Sequence, residues 1–126
     1  MSTGNEALQY QNTAPTTVML LDKRTQNKVK DYMPPQPVLE GLADFFSVFS
    51  DITRIRIVSA LTISEMCVND LAAMLRTNQT TVSHQLKTLR AAGAVKAKRQ
   101  GKIVFYAIAN ERINEVMLNG VEYLGF

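Results

Sequence analysis

Seven of the chain's 14 Lys and Arg residues lie between positions 71 and 110, a stretch with no Asp or Glu: Arg76, Lys87, Arg90, Lys96, Lys98, Arg99 and Lys102. The chemistry open to such a segment is neutralisation of a polyanion, because Lys and Arg that meet phosphates release condensed counterions. The rest of the chain holds 7 basic against 11 acidic residues, so an overall charge of +3 hides a basic module on a body of net charge −4. A solvated basic face is the competing reading of a charge run. Residue types between the cations favour the first reading. Gln79, Thr80, Thr81, Ser83, His84 and Lys87 are the polar and cationic side chains that reach base edges and flanking phosphates. Other chemistries find little support. His84 is the sole histidine and no phosphate-binding glycine loop is present, so no enzyme is expected. Cys67 is the sole cysteine, which excludes an internal disulfide or a multi-thiolate metal site within one chain. Neither a metal nor another cofactor is expected.

These side chains need elements to position them. Val82, Leu86 and Leu89 form an apolar stripe over residues 79–91, so at 100° per residue Thr80, His84 and Lys87 point the opposite way. Gly93 suits the end of that helix. Before it, Val68, Leu71 and Leu75 mark a short helix, with Thr77 and Asn78 in the turn between the two. After it, runs at 95–99 and 103–108 read as a β-hairpin joined at Gln100 and Gly101, with Lys98, Arg99 and Lys102 at its tip. Further helices are expected at 37–50, rich in Leu and Phe, and at 52–61, with Asp51 as N-cap and Ile55, Val58 and Leu61 inward while Arg54 and Arg56 point elsewhere. A last helix is expected at 111–123. Met66, Met74 and Met117 read as core fillers.

A chain of 126 residues fits one core. Residues 1–17 are polar enough to be expected as a disordered tail, and 18–33 as an extra helix ended by Pro34, Pro35 and Pro37. Residues 36–124 form the main domain. No run approaches the roughly 18 apolar residues of a membrane span. The start, Met1-Ser2-Thr3-Gly4-Asn5-Glu6, lacks a secretion signal, so a cytoplasmic location and no membrane partner are expected.

A short helix, a turn, a polar-faced helix and a basic hairpin follow the order of a winged helix-turn-helix, mainly α with a small β-hairpin. The segments Phe46-Ser47-Val48-Phe49-Ser50-Asp51-Ile52-Thr53-Arg54-Ile55-Arg56-Ile57, Asp70-Leu71-Ala72, Thr81-Val82-Ser83-His84-Gln85-Leu86-Lys87-Thr88-Leu89-Arg90-Ala91-Ala92-Gly93 and Val104-Phe105-Tyr106 closely resemble the ArsR/SmtB family of bacterial repressors, over about residues 38–124. The resemblance implies a homodimer joined through the first and last helices of the domain. On these helices Leu39, Leu42, Phe46, Ile113, Val116, Met117 and Leu124 are the candidate interface residues. It also implies a double-stranded promoter partner carrying an imperfect inverted repeat, released when an inducer acts. An interaction module for RNA, non-specific DNA or an acidic protein is the alternative.

The sequence departs from the family where metals bind. The family's Cys-Val-Cys pair reads Cys67-Val68-Asn69, and the last helix offers Asn110, Arg112, Glu115, Glu122 and Tyr123 without a histidine. A standard metal sensor is therefore not expected, and the inducer is unassigned. Cys67 has two readings: a small half-buried hydrophobe, or a redox-sensing thiol activated by a nearby helix N-terminus.

Overall fold

The computed structural model describes residues 18–126, so the tail expected at 1–17 lies outside the described residues. Two compact units divide the chain, ending at Pro35 and beginning at Gln36. In the first, α1 (Lys23–Tyr32) starts five residues later than the apolar spacing suggests. Asp22 sets this start, because its carboxylate accepts from the Thr25 N–H at 3.0 Å and caps the helix. Hydrogen bonding to Thr25, through its side chain and then its backbone, holds the Asp22 carboxyl below the usual carboxylate range.

The second unit opens with α2 (Gln36–Ser47) and α3 (Ile52–Ile63). Asp51 caps α3 as expected, accepting from the N–H groups of Thr53 and Arg54 at 2.7 and 3.2 Å. The two-residue strand β1 (Met66–Cys67) follows, then α4 (Val68–Leu75) and α5 (Gln79–Ala91). Asn78 caps α5 by accepting from Thr81 N–H at 2.7 Å. The end of α5 is closed by Gly93 at φ 79°, with Ala94 N–H donating to Leu89 O and Gly93 N–H to Arg90 O. This is a Schellman motif, which needs a left-handed residue at the position Gly93 occupies. The chain then enters β2 (Val95–Gln100), β3 (Ile103–Ile108) and α6 (Arg112–Tyr123).

The sheet is antiparallel in the order β1-β3-β2, so the expected hairpin gains a third strand. Met66 pairs with Tyr106 and Cys67 with Phe105, a pairing too short to leave a period in the sequence. Gln100 pairs with Ile103, which moves the turn one residue on, to Gly101 and Lys102. Gly101 takes φ 66°, as the first central residue of a type II′ turn requires.

One core joins α3, α4 and α5 to the sheet and to Ile113. Its fully buried side chains are Ile57, Val58, Leu71, Val82, Leu86 and Leu89. Two expectations are corrected. Ile57 takes the central place expected of Ile55, which is half-buried and instead lines a cleft with Phe49 and Val116. Met74 is 70% exposed, because it lies roughly 110° round α4 from the stripe of Val68, Leu71, Ala72 and Leu75. Met66 and Met117 do pack against the core.

Candidate nucleic-acid interface

Helix α5 presents the expected division of faces. Val82, Leu86 and Leu89 are buried, while Gln79, Thr80, Ser83, His84 and Lys87 are exposed and Thr81 is half-buried. Among the described residues, Lys87 has no carboxylate within ion-pair distance. Gln79 differs from its neighbours, since its Nε2 already donates to Asn69 Oδ1 at 2.8 Å. The position where the family pattern has a second thiolate thus holds an amide that ties α4 to the first turn of α5.

The wing cations divide between two faces. Alternation along β2 places Lys96 and Lys98 on one side and Arg99 on the other, with Lys102 in the turn. Lys98 Nζ lies 3.7 Å from Glu65 Oε2, an exposed pair of small energetic weight. Arg99 and Lys102 are exposed with no ion pair among the described residues.

Three arginines before α5 hold it in place or lead into it, and their roles were not apparent from the sequence. Arg54, expected to point away, is turned inward and donates from Nη1 to Gln85 Oε1 on α5 at 3.2 Å. Arg56 Nη2 donates to Leu75 O, a carbonyl at the C-terminal end of α4, at 2.6 Å. Arg76 adopts φ 53° in the turn before α5, where Thr77 N–H closes on Ala72 O. A non-glycine residue there costs about 1–2 kcal/mol. Arginine is an unusual choice for a left-handed position, so nothing in the sequence marked it.

Cys67 is half-buried at the junction of β1 and α4, on the strand face shared with Phe105. It precedes α4 without a side-chain capping bond. Its donor set does not fit a soft metal: the neighbouring Asn69 offers only an amide, already bonded to Gln79. Among the described residues no three His, Cys, Asp or Glu side chains converge.

The candidate interface residues fall into two groups. Leu42, Phe46 and Leu124 are exposed, Phe46 by 58%, and Leu39, Val116 and Met117 are half-buried. Phe46, Val116, Met117, Gly120 and Leu124 contribute to an apolar cleft of about 300 Å³ between α2 and α6. Ile113 is corrected out of this set: at 5% exposure it belongs to the chain's own core, because the first turn of α6 packs inward.

A short helix, a turn, an exposed acid-free helix and a three-stranded basic wing define a winged helix-turn-helix of the DNA-binding class. Residues 51–97 match the family described as bacterial regulatory protein, arsR family. The chain is 39% identical over 85 residues to the transcriptional repressor SmtB homolog of Synechocystis, covering 68% of this chain and 64% of that one. It is 34% identical over 101 residues to the cadmium resistance transcriptional regulatory protein CadC of Listeria innocua, covering 79% and 81%. Its structure resembles Rv0081 of Mycobacterium tuberculosis with a TM-score of 0.66, at 31% identity over 71% of this chain and 91% of that one. The chain belongs to the ArsR family of transcriptional regulators. No helix among the described residues is long and apolar enough to cross a membrane.

Proposed function

We propose that the protein is a cytoplasmic, homodimeric repressor that binds an inverted repeat in promoter DNA. The observation that carries this reading is the exposed face of α5, where Thr80, Ser83, His84 and Lys87 stand together with no acidic neighbour on the helix. In the major groove, His84 and Ser83 meet base edges, while Thr80, Thr81 and Lys87 meet edges or flanking phosphates. Gln79 joins this set through its Oε1 and second N–H while its Nε2 stays bonded to Asn69. Arg99 and Lys102 lie over the adjacent backbone and supply affinity more than sequence choice. Leu39, Leu42, Phe46, Val116, Met117 and Leu124 form the dimer contact. The relatives named for cadmium resistance and as SmtB do not transfer a metal to this chain, because its donor set fits neither a thiolate cluster nor a histidine-carboxylate site. Cys67 would act only as a thiol.

The testing experiment is binding of the full, reduced chain to its own upstream DNA across a salt series. Tight binding to one repeat over random duplex, with a steep salt slope, is the expected result. Equal binding to every duplex would instead favour a non-specific interaction module.

A further inference from the structure

Arg54 reaches three elements from a position only 17% exposed. Its Nε donates to Val48 O at 3.2 Å and its Nη2 to Ser47 O at 3.0 Å, at the C-terminal end of α2. Its Nη1 donates to Gln85 Oε1 at 3.2 Å and lies 3.7 Å from Asp51 Oδ2. Carbonyls at a helix end lie at the negative end of the helix dipole, so a cation suits them even where, as at Ser47 O, the Ser50 N–H and Oγ also donate at 3.2 and 2.7 Å. A planar guanidinium serves them and Gln85 together because its donors leave on different edges, whereas the donors of a lysine radiate from one nitrogen.

We propose that Arg54 is a positioning residue for DNA recognition: by tying the end of α2 to Gln85 midway along α5, it sets the angle between the dimer helix and the recognition helix. This rests on the dimeric repressor reading above. In a two-fold dimer that angle determines the separation of the two α5 helices, and therefore the half-site spacing the protein accepts. The lever is sensitive. A swing of about 10° over the ~20 Å length of α5 moves its far end by about 3.5 Å, close to one base-pair step. The bond to Gln85 is also separable from the rest of the network, since Gln85→Met removes the acceptor and leaves the bonds to Ser47, Val48 and Asp51 in place.

The test uses the full chain and a duplex that the wild-type protein selects from a randomised pool, together with versions whose half-sites are moved one base pair apart or together. Wild type is expected to lose at least tenfold in affinity on the altered spacings. Gln85→Met and Arg54→Lys should each reduce that preference at least threefold, and the double variant should do no more than the worse single one. Gln85→Met should keep the dimer mass, melting midpoint and salt slope of wild type. A folded, dimeric Gln85→Met protein that retains the full spacing preference overturns the positioning role. So does an equal loss on every spacing accompanied by a lower melting midpoint, which marks a structural role only. A wild-type protein that selects no repeat overturns the repressor reading itself, and the positioning role with it.

Discussion

Helices α5 and α6 are nearly equal in length, 13 and 12 residues, yet they leave opposite surfaces uncovered. On α5 three apolar side chains are fully buried and the opposite face is polar and free of acids. On α6 only Ile113 is buried, while Val121 and the Leu124 that follows the helix stay exposed in the cleft they share with Phe46 of α2. A hydrated polar face is at ease in water and gains by exchanging counterions for a polyanion. A contiguous apolar face gains by being covered, since burial contributes about 25 cal/mol per Å² of apolar area removed from water. The comparison teaches that one small core leaves two surfaces of different physics uncovered, and on the function proposed above each should be open to damage without the other.

The largest effect should come from Phe46→Asp. It places a charge in the apolar cleft and removes an aromatic anchor, so self-association should weaken by about 3 kcal/mol or more, read by sedimentation equilibrium. The monomer should stay folded because Phe46 is exposed in it. Ile113→Asp sharpens the contrast, since it should abolish cooperative melting rather than only split the dimer. A dimeric Phe46→Asp protein would break the assignment of the apolar face.

On the other surface, His84→Ala should cost about 1–3 kcal/mol of discrimination between the selected repeat and random duplex, with the dimer intact. Equal losses on all sequences would demote His84 to a phosphate contact. Replacing Arg99 and Lys102 together with Ala should lower the salt slope by about 1.8, at about 0.9 for each lost phosphate contact, on repeat and random DNA alike. Lys98→Ala should change it less, because Lys98 already faces Glu65. An unchanged slope in the double variant would remove the wing from the interface.

The smallest effect belongs to the turn that leads into α5. Arg76→Gly relieves a left-handed arginine but adds glycine's freedom to the unfolded chain, so a net gain of about 0.5 kcal/mol is expected in a denaturant titration. A loss of stability would show that contacts of the Arg76 side chain hold the turn.

Much of this was legible in the sequence where one physical rule dominated. The stripe of Val82, Leu86 and Leu89 fixed the orientation of α5, and Asp51 and Gly93 marked helix ends because capping acts locally. Features that depend on tertiary packing were hidden. The β1 pairing is too short to show alternation, and the burial of Ile113 depends on how α6 meets the core rather than on its own stripe. The inward turn of Arg54 depends on carbonyls seven and six residues upstream and on Gln85, 31 residues downstream. The tie between Gln79 and Asn69 likewise needs two helices already packed.

The passage from α5 to the wing has no slack. The Schellman closure delivers the chain from Gly93 into Val95 within two residues, and Gly101 and Lys102 turn it back. Six residues of strand at about 3.3 Å each make β2 ~20 Å long, anchored in the core at Val95 and turning back at its far end. If Arg99 and Lys102 meet DNA as proposed, the length of β2 acts as a ruler, and inserting two residues into each wing strand should lengthen the DNA the protein protects rather than loosen the grip.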